Sequence, residues 1–193
     1  MAEVVAETDR LILRRVCPGD LPVWLEHMNT PQVMEMVGGV KSAEEVVQDF
    51  ARMAQGGEGD LPFVFVALKA DSALIGKGGL VRIETEIAPD ALRDQVQIGW
   101  SLRADHWGHG YATEAARAFL ALGFERFELP VIYAQTSERN RGSWRVMERL
   151  GMARLAELDY DDPDYPPEDN PTMVWGLRRE VWQAAQAEVA ANA

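Results

Sequence analysis

The sequence predicts an α+β fold, a mixed sheet flanked by helices, and three observations predict it. Residues 95–102 alternate, with Val96, Ile98, Trp100 and Leu102 on one face and Gln97, Gly99 and Ser101 on the other, which is the period of a strand. Residues 110–126 change to helical spacing, with Ala112, Ala115, Phe119, Leu122 and Phe124 among the apolar positions. A strand pattern then returns at residues 131–136. The chain has 193 residues, 47% apolar and 26% charged, enough for a single domain with a real core, so one domain over 1–193 is expected.

The elements can be justified in chain order. Leu11, Leu13 and Val16 around Arg14 and Arg15 read as a first strand; Pro18-Gly19-Asp20 turns the chain into a helical segment near Leu21 to Met28. Ser42 and Glu45 have the spacing of a capping box, so a helix starts there and runs to about Gln55. Residues 56–60, Gly-Gly-Glu-Gly-Asp, are a turn leading into strands at Phe63 to Leu68 and Ala73 to Ile83. Asn140 to Leu150 is a further helix, with Gly151 where a left-handed C-terminal cap would place glycine. Met152 to Leu158 and Thr172 to Leu177 read as a final strand pair, and an Ala-rich helix starts near Arg179.

Composition removes several functions. Nineteen Lys and Arg against 31 Asp and Glu give a net charge of −12, which argues against a nucleic-acid or anionic-membrane partner and favours a neutral or cationic one. Cys17 is the only cysteine, so no disulfide scaffold and no thiolate-rich metal site is expected. Residues 1–10 are acidic and lead into no apolar h-region, and the near-apolar stretch from Leu61 to Leu68 is too short to span a bilayer. A soluble, cytoplasmic protein, monomer or homodimer, is the expectation. No HExxH, GxSxG, Walker A or full GxGxxG motif occurs.

What remains is Trp107-Gly108-His109-Gly110-Tyr111-Ala112, between the alternating strand and the helix. A glycine-bearing turn from strand to helix aims several backbone amides at one point, and the helix N-terminus adds roughly half a positive charge. An acidic protein can bind a pyrophosphate there without a lysine. The same two glycines also suit a tight turn with no ligand.

The turn is one of four motifs that carry a family resemblance. Thr8-Asp9-Arg10-Leu11-Ile12-Leu13-Arg14, Gln97-Ile98-Gly99-Trp100, Trp107-Gly108-His109-Gly110-Tyr111-Ala112-Thr113-Glu114-Ala115, and Asn140-x-x-Ser143 before Leu150-Gly151-Met152 occur in one order. Over about residues 7–182 the chain resembles the GNAT superfamily of CoA-dependent N-acetyltransferases, in its RimJ/RimL-type branch. The resemblance implies a mostly antiparallel sheet splayed between strands four and five. It also implies acetyl-CoA as co-substrate, no metal, pantetheine along Trp100, Ser101 and Leu102, and pyrophosphate on the amides of residues 107–112. Trp107 stands where the family usually has Gln or Arg, so less guanidinium help is at hand; Arg103 is a nearby cation. His106 and His109 flank the turn as phosphate contacts or solvent-facing side chains rather than as bases.

Acetyl transfer needs a deprotonated amine, a polarised thioester carbonyl and a proton for the leaving thiolate. A backbone amide near Ser101 or Leu102 supplies the carbonyl contact by analogy. The tyrosine acid of many relatives is here Met147, so Ser143, three residues after Asn140, is the acid candidate. Asn140 either contacts pantetheine or caps its helix. Gln97 stands where related sequences often carry a glutamate base; Glu84, Glu86, Asp159 and Tyr160 are replacements. Seven of the thirteen residues from Glu157 to Asp169 are acidic, so Asp159, Tyr160, Asp161 and Asp162 are expected to meet a cationic amine such as a protein N-terminus, an aminoglycoside-like compound or a polyamine. A non-catalytic acyl-CoA-binding module is the alternative.

Overall fold

The computed structural model describes residues 2–55 and 61–191, so the expected turn at 56–60 lies outside the described residues. The strands are β1 (Val4–Glu7), β2 (Leu11–Arg14), β3 (Phe63–Leu68), β4 (Leu74–Arg82), β5 (Val96–Leu102), β6 (Val131–Thr136), β7 (Ala153–Arg154) and β8 (Met173–Arg178). The helices are α1 (Asp20–Val23), α2 (Pro31–Met34), α3 (Ala43–Ala54), α4 (Tyr111–Ala121), α5 (Arg141–Arg149) and α6 (Arg179–Ala191). The strands are hydrogen-bonded in the order β1-β2-β3-β4-β5-β6-β8-β7. This is the mixed, mostly antiparallel sheet with flanking helices that the sequence predicts. A parallel pairing, Gln97 opposite Tyr133, joins β5 and β6, the strands at residues 96–102 and 131–136 that the sequence counts as fourth and fifth.

The count shifts because β1 has no clear sequence signal. It is a four-residue edge strand whose hairpin to β2 is closed by Thr8: Thr8 N donates to Leu11 O at 3.0 Å, and Thr8 Oγ1 accepts from Leu11 N at 3.0 Å. Side-chain closure of this kind is invisible to periodicity.

Contacts group the chain into two compact units. Met1–Val81 with Gly99–Phe119 forms the first. Its core is an aromatic cluster of Trp24, Phe50 and Phe65, with centroids 5.7 to 6.2 Å apart, joined by buried Met28, Val46 and Leu74. The Ser42 capping box is present: Glu45 N donates to Ser42 Oγ at 3.2 Å and Ser42 N to Glu45 Oε2 at 2.8 Å. That reciprocal pairing satisfies two helix-end amides and fixes where α3 starts. The apolar face of α4 buries Ala115, Ala116 and Phe119.

Arg82–Ile98 with Leu120–Ala193 forms the second unit. Ile83, Ala88, Leu92 and Val174 make its core cluster, with Tyr133, Leu155, Leu158 and Tyr160 packed against it. Gly151 follows α5 with φ +76, the left-handed cap read from the sequence.

The strand expected over residues 152–158 shrinks to β7, after which Ala156–Leu158 forms a 3₁₀ turn. The reason is Asp159. Its Oδ1 accepts the Val174 N–H at 3.0 Å, occupying a donor that a neighbouring strand would otherwise use, and its carboxylate also pairs with Arg154. Pairing resumes only at the Tyr160–Thr172 bridge.

Candidate active site

Within the first unit the site starts on β5. Arg103 N donates to Ile75 O at 2.8 Å, and the antiparallel ladder alternates along the strand, so Ser101 also directs its backbone to β4. The Ser101 carbonyl accordingly lies beside Gly76. Trp100 and Leu102 therefore present their backbone groups on the opposite edge. Of the three residues expected to pair with pantetheine, Ser101 turns its backbone to β4, while Trp100 and Leu102 turn theirs away from it, the Leu102 carbonyl accepting from Trp107 Nε1.

Beyond Leu102 the chain makes a 3₁₀ turn at Ala104–His106 and reaches Gly108 (φ +79) and Gly110 (φ +82) before α4 begins. Two left-handed residues so close together need glycine, because a Cβ strains that conformation by about 1–2 kcal/mol each. Glu114 N makes the first helical bond, to Gly110 O at 3.1 Å, so the amides of Tyr111, Ala112 and Thr113 have no intrahelical acceptor. Trp107 is corrected as an amide donor: its N–H already bonds Ala104 O at 3.2 Å. The usable donors begin after it.

Three carbonyls along this segment are capped by side chains. Trp107 Nε1 donates to Leu102 O at 2.9 Å, His109 Nδ1 to Trp107 O at 2.8 Å, and the Arg10 guanidinium to His109 O at 3.0 Å. A carbonyl can only accept, so His109 carries its proton on Nδ1. The Tyr111 ring touches the other two partners, stacked on His109 at 5.7 Å and 13° and with the Arg10 guanidinium over it at 4.6 Å. Arg10 is fixed in turn by Glu114, with Nε 2.6 Å from Oε2, while Thr8 Oγ1 and Arg10 N reach Oε1 at 2.5 and 2.9 Å. Burial alone would raise the Glu114 carboxyl, but the hydrogen bonds from Thr8 and Arg10 outweigh it and hold the group below its ordinary value.

Arg103 is not the spare cation the sequence suggests. Its guanidinium binds both oxygens of Asp105, at 3.1 and 2.7 Å, and donates to Leu74 O at 3.1 Å. With His106 also donating at 2.8 Å, Asp105 is held well below the usual carboxylate range, first by Arg103 and then by His106. Thr113, in the first turn of α4, is 6% exposed, and its buried hydroxyl has no partner among the described residues. An orphan hydroxyl beside unpaired helix-end amides fits an anionic ligand, since burying it unbonded costs free energy. No group of three or more His, Cys, Asp or Glu is placed to hold a metal among the described residues.

In the second unit, Asn140 caps α5 through Oδ1, which accepts the Ser143 N–H at 3.1 Å. The cap thus uses the backbone of Ser143 and leaves its hydroxyl out. Met147, one turn on, is buried at 1% exposure and has no proton to give. Glu84 and Glu86 are exposed on the connection after β4.

Asp159 is corrected as a base and as an acceptor contact, because Arg154 and the Val174 amide already hold it. Tyr160 donates its hydroxyl to Gln135 Oε1 at 2.8 Å. Burial, followed by the charges of Asp162 and Tyr165, pushes its pKa up to about 12, which suits a donor and not a base at neutral pH. Asp162 is buried too: its Oδ1 accepts Asp164 N at 3.0 Å, and its own N–H donates to Asn170 Oδ1 at 2.8 Å. These bonds shape the loop. Asp169 likewise pairs with Arg139 at 3.2 Å. Asp161 and Asp164 are exposed, as are Glu157 and Glu168.

Sequence reasoning quoted Thr8, Arg10 and Glu114 as parts of separate motifs without seeing that they meet, and did not single out the buried Thr113 hydroxyl. It passed over Gln135, whose buried Nε2 has no partner among the described residues.

Comparisons with known proteins bear on the family and the fold. The model for the acetyltransferase (GNAT) domain matches residues 10–153. The uncharacterized N-acetyltransferase p20 of Bacillus licheniformis is 26% identical over 160 residues, covering 80% of this chain and 85% of that protein. A crystal structure of an acetyltransferase from Agrobacterium tumefaciens is 28% identical with a TM-score of 0.71, covering 90% of this chain and 93% of that one. A GNAT-family acetyltransferase structure from Bacillus anthracis is 25% identical with a TM-score of 0.73, covering 90% and 98%. The match of the family model over residues 10–153, on a mixed sheet of this strand order, makes the chain a member of the GNAT family of acetyl-CoA-dependent N-acetyltransferases.

Proposed function

We propose that the protein, in the RimJ/RimL-type manner, moves the acetyl group of acetyl-CoA to a primary amine carrying more than one positive charge, by direct attack of the amine on the thioester carbonyl. The observation that carries the reading is the turn from Trp107 to Thr113, where capped carbonyls leave amides, and an orphan hydroxyl, to meet the phosphates. Gly108, His109, Gly110, Tyr111 and Ala112 supply this cradle. Trp100 and Leu102 offer backbone groups to the pantetheine arm, and the Leu102 N–H polarises the thioester carbonyl. Asn140 spends its Oδ1 on the helix cap and has only its Nδ2 hydrogens left for the cofactor.

The amine nitrogen forms its bond to the carbonyl carbon, the C–S bond breaks, and the thiolate takes a proton. Ser143 provides that proton. Glu84 and Glu86 are the base candidates, acting directly or through water. The exposed carboxylates Glu157, Asp161, Asp164 and Glu168 raise the local concentration of a cationic acceptor. The experiment mixes protein, acetyl-CoA and a panel of neutral amines, monoamines, polyamines, aminoglycosides and peptide N-termini, and measures free thiol. Turnover fastest with polycationic amines supports the reading; equal rates with neutral and polycationic amines refute it.

A further inference from the structure

Arg10 is separated from the phosphate turn by about a hundred residues of chain and yet is built into it. Its guanidinium makes three kinds of contact at once: a hydrogen bond to His109 O at 3.0 Å, a paired contact with Glu114 at 2.6 Å, and a face-on contact with the Tyr111 ring at 4.6 Å. Its terminal nitrogen also lies 3.5 Å from where a side chain on Gly110 would begin. Glu114 neutralises its charge, so its value to the site is mainly positional.

That position decides what the turn presents. Peptide groups carry a donor and an acceptor, and a carbonyl aimed at a phosphate repels it as strongly as an amide attracts it. His109 O sits in the middle of the turn, one residue before Gly110. Drawing it toward Arg10 leaves the following N–H groups as the polar face at the start of α4. Thr8 belongs to the same device, because its hydroxyl both closes the β1–β2 hairpin and bonds Glu114 at 2.5 Å. The hairpin thereby fixes the guanidinium in place.

We propose that Arg10 is a positioning residue for the acetyl-CoA phosphates, holding the His109 carbonyl out of the cradle through the clamp of Thr8 and Glu114. This rests on the phosphate role proposed for the turn. Lysine cannot replace it, since one ammonium cannot bind Glu114 in a fork and reach His109 O while lying flat on Tyr111.

The test compares two donors, acetyl-CoA and acetyl-pantetheine, which has the thioester and no phosphate. In the parent, KM for acetyl-CoA is expected to be far below that for acetyl-pantetheine. Arg10→Gln should raise KM for acetyl-CoA roughly tenfold or more, as loss of a charge-assisted hydrogen bond would, with kcat at saturation little changed. KM for acetyl-pantetheine should stay within about twofold of the parent. Arg10→Lys should fall in between and remain folded by its melting curve. A parent that treats the two donors alike overturns the phosphate reading and the proposal with it. A parent that distinguishes them, with an Arg10→Gln variant whose KM for acetyl-CoA is unchanged or whose KM rises equally for both donors, overturns the proposal alone.

Discussion

The ammonium of Lys77 lies 3.6 Å from the centroid of the Trp24 ring, against the aromatic cluster of the first unit. Burial lowers its pKa to about 7, with Asp49 pulling it up and Lys41 pushing it further down. An unfolded lysine titrates near 10.4, so between about pH 7 and 10 the unfolded chain binds more protons than the folded one. Stability from this group therefore rises with pH across that window and is lost as pH falls toward 7. Lys77→Met removes the burial cost and gives up the cation–π attraction; a net gain of roughly 2 kcal/mol at pH 7, or about 4–8 °C in Tm, is expected. Thermal melts from pH 6.5 to 10 check it, and the variant should show the flatter profile.

Gly110→Val is expected to remove the stabilisation by CoA, which for a native-state ligand at a hundredfold excess over Kd amounts to about 2.7 kcal/mol. A β-branched residue strains the φ of +82 and crowds Arg10. Melting with and without CoA separates the ligand shift from the basal cost, and a full CoA shift in the variant would remove the turn from the binding site.

Ser143→Ala should lower kcat by roughly 10²-fold with the CoA shift intact, because the hydroxyl is not part of the helix cap. Asn140→Ala should instead cost about 1 kcal/mol of stability, as the loss of an N-cap does. Steady-state kinetics and melts of the two variants distinguish an acid from a cap; a Ser143→Ala enzyme at parental kcat would leave the acid elsewhere.

The acidic loop divides into carboxylates that hold structure and carboxylates that face solvent. Asp161→Asn, Asp164→Asn and Glu168→Gln together should raise KM for a polycationic amine and reduce its dependence on ionic strength, with kcat nearly constant, because steering acts on encounter. Asp162→Ala and Asp169→Ala should lower Tm instead, by the equivalent of about 1–3 kcal/mol, since each removes the acceptor of the Asp164 amide or the Arg139 guanidinium. KM at 20 and 300 mM salt, between which the Debye length shortens from about 21 to about 6 Å, is the measurement.

How much the sequence determined depends on the range of the interaction. Local rules placed the Ser42 capping box, the helix from Arg141 to Arg149, the strand from Val131 to Thr136, the turn at Gly108 and Gly110 and the glycine cap at Gly151, because each depends on residues a few positions apart. The tertiary structure decided what those local pieces are for. Asp159 reads as a free carboxylate in a charged loop, yet it takes the Val174 amide and ends a strand. Arg103 reads as a spare cation, yet Asp105 and the Leu74 carbonyl use it. Arg10 reads as one residue of the opening motif, yet it caps a carbonyl 99 positions away. A side chain's hydrogen-bond valence is filled by whatever the fold brings beside it, and those partners are set by long-range packing that no local period or spacing records.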